Sequence, residues 1–525
     1  MRTGIVAVIL TVAVASSLPA DIILVDWAGG GDFTTIQAGI SASVSGDTVL
    51  VTPGTYSGPG NHDLNFVGRN IVLRCSGVPG SAIVDCGGEH SGVRFECSED
   101  TTAVLDGFAI RNATVGVRCY YYSKPTIKNL VISDCKYSGI SCTVGSDPII
   151  SGSLITGDCY QPSGSGLEIS LSSPVVRDVE FSGNTNLNGG AGLDCIGVAS
   201  SPRFINCRFL GNRTDAGVGA GAHASSGLLT FEDCLFADNY AGTAGGGMHV
   251  EQDAHVVMLN CSFSDNESEA GGGLFLWSDA TAELTDCKFS GNVAEAGGGI
   301  RAANAGATLT GCSFTANSAS LGGAVHVQNS SLTAAHCSVS GNSAATLGGG
   351  IMSAGGCATQ LTMCTFDGNA ATYQGAALHV GSGASLAASG CTFFGNASLT
   401  GSGLAVDDAA PMTVENCVIA FGSEGDAVSC NGAVAPSLAC CDIFGNAGGD
   451  WEGCIAALLG ADGNICEDPL FCGDANPEEP YTLHENSPCA QENNPACGLI
   501  GAWGVACGVT AVEEMSWGSL KAMFR

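Results

Sequence analysis

Basic residues are almost missing from this chain. Its 525 residues include 17 Lys and Arg against 50 Asp and Glu, and no Lys or Arg lies between Arg301 and Lys521. Nucleic-acid binding requires basic side chains that neutralise phosphates, so the composition excludes a nucleic-acid partner. The formal net charge of −33 also disfavours anionic membrane surfaces and bare polyanions, whereas divalent cations and neutral glycans are compatible with it.

Long apolar segments are also absent, apart from one at the start. Arg2 precedes an apolar run over residues 5–14, and Ala13-Val14-Ala15 and Leu18-Pro19-Ala20 offer small-residue cleavage sites. This order is typical of a secretory signal peptide, and the run is too short to span a bilayer. We therefore expect residues 1–20 to be a signal peptide. The mature chain should be secreted, extracellular or on the outer cell surface, with no transmembrane segment.

A repeat of 25 to 27 residues fills the middle of the chain. Each copy contains Cys-x-Phe-x-x-Asn or a close variant, beginning at Cys207, Cys234, Cys261, Cys287, Cys312, Cys337, Cys364 and Cys391. Each period has three short alternating segments, such as Met248-His249-Val250, Ala307-Thr308-Leu309-Thr310 and the Cys-x-Phe segment itself. Alternation with period two is typical of a strand with one buried face. Three strands in a period of this length predict one coil of a parallel β-helix.

Stacking of such coils predicts columns of identical side chains. Equivalent residues of neighbouring coils lie about 4.8 Å apart, so the Phe and Cys positions should form two buried columns. Because a disulfide prefers Cβ atoms about 3.8 Å apart, we expect the column cysteines to be buried thiols. The Asn positions should form a ladder that bonds to the coils above and below. Its expected members are Asn239, Asn266, Asn292, Asn317, Asn342, Asn369 and Asn396.

The repeats resemble those of known families. Phe-x-x-Asn followed by Gly-Gly-Ala or Gly-Gly-Gly is similar to the polymorphic outer-membrane protein repeat, and more broadly to bacterial right-handed β-helix repeats, over residues 179–446. Asp32-Phe33-Thr34-Thr35-Ile36-Gln37 and Pro53-Gly54-Thr55-Tyr56 resemble the first helix and strand of pectinesterase- and pectate-lyase-like proteins. The resemblance implies a helix that plugs the open end, with Ile36 and Ile40 inside. We predict an all-β fold, a single-stranded right-handed parallel β-helix (solenoid) with about three strands per coil and a short N-terminal capping helix.

The two ends of the repeat give the expected domain boundaries. From Cys430 onward the repeat fades and cysteines crowd together, which in an exported protein indicates a disulfide-stapled cap. The last residues form either a sorting signal or a frayed tail. The predicted segments are 1–20 signal peptide, 21–60 N-terminal cap and first strand, 61–465 parallel β-helix, 466–510 cysteine-rich C-terminal cap, and 511–525 C-terminal tail.

Two carboxylates are the candidate metal ligands. Asp238 and Asp265 occupy equivalent turn positions on adjacent coils and should lie about 5 Å apart, which could hold Ca²⁺. The alternative is two solvated turn aspartates. No other metal ligand, cofactor or catalytic residue is predicted.

An outward register of aromatic and histidine side chains gives the candidate binding residues. Phe275 and Trp277 should point outward on one coil, where they either stack against sugar rings or are covered by a loop. His249, His326 and His379 share this register. They lie two or three coils apart, too far to converge on one ion, and we interpret them as exposed strand histidines.

Enzymes of the resembled fold act mostly on acidic polysaccharides, with Ca²⁺ and a basic residue or with clustered Asp. The hydrolase motifs Asn-Thr-Asp, Gly-His-Gly and Arg-Ile-Lys are absent here. We therefore predict an exported, bacterial-type surface or extracellular protein, non-catalytic and structural or adhesin-like, with glycans or cell-surface components as partners. The alternatives are a glycan-binding module, or a polysaccharide lyase or glycoside hydrolase that uses the N-terminal basic residues. Those residues are Arg94, Arg111, Arg118, Lys124, Lys128 and Lys136.

Overall fold

A computed structural model describes residues 20–157, 165–197, 200–408, 410–432, 436–473 and 479–508. The chain forms a right-handed parallel β-helix with three long parallel sheets, as the repeat predicts. The predicted signal peptide and C-terminal tail lie outside the described residues, apart from Ala20. No helix in the described part of the chain is long and apolar enough to cross a membrane.

Among the described residues, sheet 1 contains 17 strands and includes the first strand of the rod. Its later strands are the Ala-, Leu- and Thr-rich segments of the repeat, in which one residue in two faces the core. The strands are Ile22–Val25, Thr48–Val51, Val72–Cys75, Val104–Asp106, Thr126–Lys128, Ile149–Ser151, Val175–Arg177, Arg203–Ile205, Leu228–Glu232, His255–Leu259, Thr281–Thr285, Gly306–Thr310, Ser331–Ala335, Ala358–Thr362, Ser385–Ser389, Met412–Glu415 and Ser437–Ala439.

Within the described residues, sheet 2 contains 16 strands and includes the Cys-x-Phe segments. The middle residue of a repeat strand is the buried Phe, replaced by Val339 in Ser338–Ser340, and the two residues beside it point away from the core. The strands are Gly54–Ser57, Ala82–Asp85, Phe108–Arg111, Val131–Ser133, Leu154–Thr156, Glu180–Ser182, Arg208–Leu210, Leu235–Ala237, Ser262–Ser264, Lys288–Ser290, Ser313–Thr315, Ser338–Ser340, Thr365–Asp367, Thr392–Phe394, Val418–Ala420 and Asp442–Phe444.

Within the part of the chain that the structure describes, sheet 3 contains 15 strands, which follow the glycine runs in the repeat block. On a repeat strand such as Leu274–Trp277, Leu274 and Leu276 face the core, whereas Phe275 between them faces away from it. The strands are Leu64–Asn65, Val93–Phe95, Val115–Cys119, Ser138–Thr143, Ser165–Ser170, Leu193–Ile196, Ala222–Ala224, Met248–Val250, Leu274–Trp277, Ile300–Ala303, Val325–Gln328, Ile351–Ala354, Leu378–Val380, Leu404–Asp407 and Val428–Asn431.

The predicted columns fill the rod. Phe236, Phe263 and Phe289 are fully buried, and their rings stack with centroids 4.6 and 4.8 Å apart. The column cysteines are buried and free, which confirms the prediction of thiols. Each ladder Asn from Asn239 to Asn369 donates its side-chain amide to the Asn of the next coil, as Asn266 does to Asn292 at 2.9 Å. Phe stacking and Asn hydrogen bonding therefore match the coil spacing that the backbone hydrogen bonds of the sheets set.

Both ends of the rod are closed. The helix Ile36–Ala42 buries Ile36 and Ile40 at the first coil, which confirms the predicted cap. At the other end, disulfides join Cys430 to Cys454, Cys440 to Cys497, and Cys472 to Cys507. Here a 3-10 helix spans Gly453–Leu458 and a two-stranded sheet pairs Leu483–His484 with Val505–Cys507.

A row of short strands, which we call the ridge, lies between the Asn ladder and the glycine runs. Its strands are Arg213–Thr214, Tyr240–Ala244, Glu267–Ala270, Ser318–Leu321, Ser343–Leu347 and Ala370–Ala371, joined across one coil by bridges at Val293 and Ala296. A Cβ atom on Gly272 would lie 2.6 Å from the carbonyl oxygens of Val293 and Gly298. Only glycine therefore lets the chain turn from the ridge into sheet 3 at this close approach.

Candidate functional site

The middle residues of the sheet 3 strands form one column on the outer side of the core, which we call the sheet 3 column. Strand alternation directs them away from the core, and parallel register stacks them coil upon coil. In order they are Arg94, Arg118, Ser141, Glu168, Asp194, His223, His249, Phe275, Arg301, His326, Met352, His379 and Ala405. Charged, imidazole and aromatic side chains thus lie along a single face of the rod.

The histidines of this column are buried, so the prediction that they are exposed was wrong. His249, His326 and His379 are 2%, 4% and 1% exposed. They point away from the core as expected, but neighbouring side chains cover them, as the rings of His223 and Phe275 do on the two sides of His249. The predicted spacing holds, because Met352 separates His326 from His379 in register.

Phe275 is also covered, which corresponds to the second of the two alternatives considered for it. It is 8% exposed and packs against Ala244 and Ala270 of the ridge. Trp277, two residues later on the same strand, is 45% exposed. The ridge therefore acts as the covering segment for Phe275, whereas Trp277 remains available to a ligand.

A groove runs between the ridge and the sheet 3 column. Its volume is about 750 Å³. The floor includes Phe275, Arg301 and His326, and the ridge contributes the exposed carboxylates of Glu269 and Glu295. The groove thus combines an apolar surface with hydrogen-bond donors and acceptors.

Four side chains stack along the column beside this groove. The ring centroids of His223 and His249 are 5.6 Å apart, and those of His249 and Phe275 are 5.2 Å apart. The guanidinium of Arg301 lies 5.4 Å from the Phe275 ring centroid on the other side. This stack connects the groove to a cluster of titratable groups around His223.

His223 lies between two carboxylates. Its Nδ1 is 2.8 Å from Oδ1 of Asp194, and its Nε2 is 3.4 Å from Oε1 of Glu251. Burial alone would lower the pKa of His223, but the hydrogen bonds to the two carboxylates raise it to about 9. The hydrogen bond from His223 in turn lowers the pKa of Glu251. At neutral pH His223 is therefore an imidazolium held by two acids.

His249, on the next coil, has the opposite environment. Neither of its ring nitrogens has a hydrogen-bond partner within the described part of the chain. Burial and the nearby charge of His223 lower its pKa to about 3, so it is neutral at neutral pH. Together His223, His249 and Glu251 bring three potential metal-ligand atoms within 4.8 Å of one another.

A second group of potential ligands lies near the N-terminal end of the rod. The rings of His62 and His90 stack with centroids 3.8 Å apart. Their Nδ1 atoms lie 3.1 and 2.9 Å from the same Oδ2 of Asp63. His90 is exposed, and each imidazole already has this carboxylate as a partner.

The predicted carboxylate pair does not join either group. Asp238 and Asp265 follow paired strands of sheet 2, are exposed, and have left-handed backbone with φ of 56° and 54°. Each uses its backbone N–H to bond the next coil, at Ser264 and Ser290. Ca²⁺ binding by this pair stays a prediction.

The N-terminal basic residues are divided among separate acids. Arg111 pairs with Asp85 at 2.9 Å and Lys124 with Asp147 at 3.0 Å. Two longer ion pairs join Lys128 to Asp106 at 3.6 Å and Arg94 to Asp63 at 3.9 Å. The remaining two side chains contact aromatic rings, Arg118 that of Tyr120 and Lys136 that of Tyr137. Arg111, Lys128 and Arg118 also belong to three different sheets. These basic residues are therefore spread over three sheets, and most of them already pair with a carboxylate.

Sequence patterns alone did not identify Asp194, His223 and Glu251. The signal for His223 is its position in Ala222-His223-Ala224, in register with Met248-His249-Val250 one coil later. Alanines occupy the two core-facing positions that larger apolar residues fill on the next coil, so the alternating pattern of this strand is hard to recognise in the sequence. Glu251 follows its strand and Asp194 lies one coil before His223, so only the register brings them together.

Comparisons with known proteins agree with this architecture. The sequence pattern of the right handed beta helix region matches residues 71–228 and 199–366. No curated protein sequence matches significantly. Among solved structures, the catalytic unit of a thermostable GH87 α-1,3-glucanase from Streptomyces thermodiastaticus strain HF3-3 is 12% identical, with a TM-score of 0.33 over 84% of this chain and 72% of the other.

Two further structures are similar at the same low level. The pectate lyase Pel9A is 13% identical, with a TM-score of 0.27 over 93% of this chain and 96% of its own. PfbA, a surface adhesin of Streptococcus pneumoniae, is 10% identical, with a TM-score of 0.25 over 79% and 86%. Similarities at this level assign no activity.

The family match covers more than half of the sequence, and the chain belongs to the right-handed beta helix family.

Proposed function

We propose that this protein is an exported, adhesin-like surface or extracellular β-helix that binds a neutral glycan along the groove without cleaving it. The single observation that supports glycan binding best is the state of Arg301. This half-buried guanidinium forms no ion pair within the described part of the chain, and its buried Nε has no partner. Its Nη2 makes only a 3.5 Å contact with Oε1 of Gln328.

Unused donors beside a groove favour a hydroxyl-rich ligand. A buried polar group without a partner costs about 1–3 kcal/mol, which a ligand hydroxyl at Arg301 would recover. Glu269 and Glu295 on the ridge supply acceptors for further hydroxyls. These are the polar groups that fix the orientation of a ligand in an otherwise apolar site.

Trp277 supplies the aromatic surface. Its register places it in one column with Ala303, Gln328 and Ala354, and the last two line the groove. An indole that is 45% exposed, on the strand that carries Phe275 of the groove, can stack on the apolar face of a sugar ring. Stacking at Trp277 and hydrogen bonding at Arg301 would thus hold one extended chain.

Charge favours a neutral ligand over an acidic one. The chain has a formal net charge of −33, and two of the groove residues are exposed carboxylates. An acidic glycan would meet repulsion from both the groove and the whole protein.

Two sequence features support an extracellular or cell-surface location. The N-terminal segment is typical of a secretory signal, and the repeats resemble those of polymorphic outer-membrane proteins. Lyase or hydrolase chemistry is the alternative. It is disfavoured in the N-terminal coils because most of the basic residues there already have an acidic partner.

Binding to a panel of neutral and uronate-containing oligosaccharides tests the proposal, with calorimetry on the purified protein. We expect a neutral oligosaccharide to bind, and Trp277→Ala and Arg301→Gln each to weaken it at least about tenfold, or about 1.4 kcal/mol. Tyr122→Ala removes an aromatic side chain that is 64% exposed on distant coils and should change nothing. Equal binding by all four proteins, or binding of uronates alone, would contradict the proposal.

A further inference from the structure

His249 is a buried polar side chain that the protein itself does not satisfy. It is 2% exposed, and both of its ring nitrogens lack a hydrogen-bond partner within the described residues. Buried nitrogens of this kind normally bond to protein, to water or to a metal ion. An apolar residue could fill the same space in the stack, as Phe275 does on the next coil. The imidazole therefore points to a partner from outside the chain.

The groups that face His249 are those that bind transition metals. Nε2 of His223 and Oε1 of Glu251 are 3.4 Å apart, close to the edge of a tetrahedron around an ion with bonds of about 2.1 Å. One nitrogen of His249, one nitrogen of His223 and one carboxylate oxygen of Glu251 lie within 4.8 Å of one another. A modest contraction of this triangle brings all three onto one ion.

Asp194 holds the His223 ring at Nδ1, the nitrogen opposite the proposed ion. Its Oδ1 lies 2.8 Å from Nδ1 of His223, so the carboxylate holds the N–H at Nδ1 and orients the ring. An ion would bind at Nε2 and displace the proton that this nitrogen shares with Glu251. Histidine ligands of metals generally donate their other N–H to a carboxylate or carbonyl in this way.

We propose that His223, His249 and Glu251 bind one divalent transition-metal ion of the Zn²⁺ class, with Asp194 orienting His223. Two imidazoles and a carboxylate suit Zn²⁺, Co²⁺ or Ni²⁺, whereas Ca²⁺ and Mg²⁺ prefer oxygen ligands only. Three protein ligands leave one position of a tetrahedral ion open to water or to a ligand. The site is independent of glycan binding, although the stack through Phe275 places it next to the groove.

The group at His62, Asp63 and His90 is a weaker competitor for such an ion. Both imidazoles there already use Nδ1 on Asp63, and neither is a buried, unpartnered nitrogen ligand. Exposed thiols at Cys97 and Cys466 could also bind Zn²⁺ and should be blocked with iodoacetamide before titration.

The experiment titrates chelator-treated, full-length protein with Zn²⁺ by calorimetry, and with Co²⁺ by visible absorption, which reports the ligand type and geometry. We expect one ion per chain, and a Co²⁺ spectrum typical of nitrogen and oxygen ligands without thiolate. Glu251→Gln and His249→Phe should each weaken binding at least about tenfold, and Asp194→Asn about 10- to 100-fold. His249→Phe keeps the ring stack, so its melting temperature without metal checks that the variant is folded.

Two matched variants decide between the clusters. His326→Phe changes an equally buried histidine of the same column outside the cluster, and His90→Gln disables the N-terminal group; both should bind Zn²⁺ as the wild type does. Zn²⁺ at about 100 times its Kd should also stabilise the wild type by about 2.7 kcal/mol, but not His249→Phe. The proposal is overturned by the absence of stoichiometric binding, by unchanged binding in both Glu251→Gln and His249→Phe, or by loss in His90→Gln alone.

Discussion

The side-chain amide of Asn266 donates a 2.9 Å hydrogen bond to Oδ1 of Asn292 on the next coil, and the backbone N–H of Asn266 donates to the same oxygen at 3.1 Å. The Nδ2 of Asn292 in turn donates to the carbonyl of Phe263 and to Asn317. One buried side chain thus satisfies groups on both neighbouring coils.

Removal of this side chain should destabilise the rod. Asn292→Leu leaves two donors of Asn266 and the carbonyl of Phe263 without their partner, so we expect a loss of about 1–3 kcal/mol in the free energy of unfolding. Asn112 lies outside the ladder, where its amide bonds to Asp85. Its backbone φ is 53°, so Asn112→Gly removes the amide without strain and should cost less. Urea unfolding measures the free energy of unfolding of both variants. Equal losses in the two would contradict a special stabilising role for the Asn ladder.

The thiol column should be inaccessible in the native protein. Cys234, Cys261, Cys287 and Cys312 are at most 2% exposed and are free. Native protein treated with iodoacetamide should react at the exposed Cys97 and Cys466 but not in the column, whereas denatured protein should react at both. Peptide mass mapping separates these outcomes, and coil-to-coil disulfides in the non-reduced digest would show that the column is oxidised.

The columns could be predicted from the sequence because they depend only on the period. Any residue that recurs every 25 to 27 positions must stack, so Phe263, Asn292 and Cys287 could be assigned without knowledge of the turns. The burial of His249 depends instead on the particular side chains of the neighbouring coils, since His223 and Phe275 stack on its two sides. The cluster around His223 likewise depends on which residues the register of sheet 3 places side by side, and no local pattern encodes that pairing.

The buried histidines should make stability depend on pH. Burial and the charge of Arg301 lower the pKa of His326 to about 4, against about 6.5 in the unfolded chain. The unfolded state therefore binds a proton more readily, and stability should fall as pH decreases from about 6.5 to about 4, by up to about 3 kcal/mol for this residue.

His326→Phe should reduce that dependence. The variant keeps a ring beside Arg301 but has no proton to bind, so its urea midpoint should fall less than that of the wild type between about pH 7 and pH 4.5. His249 and His379 still titrate, and the dependence should therefore persist in part. If the urea midpoints of the two proteins changed equally with pH, the pKa of His326 would not be lowered by folding.

The central claim, glycan binding without cleavage, is tested most directly by determining whether a glycan bound to the protein remains intact. Purified protein is incubated with neutral and uronate glycans, with and without Ca²⁺, and the bound fraction is recovered for mass spectrometry. We predict an intact neutral glycan on the wild type and little on Trp277→Ala or Arg301→Gln. Shortened or unsaturated products that disappear in Arg111→Ala or Lys136→Ala would contradict the account and establish a lyase or hydrolase instead.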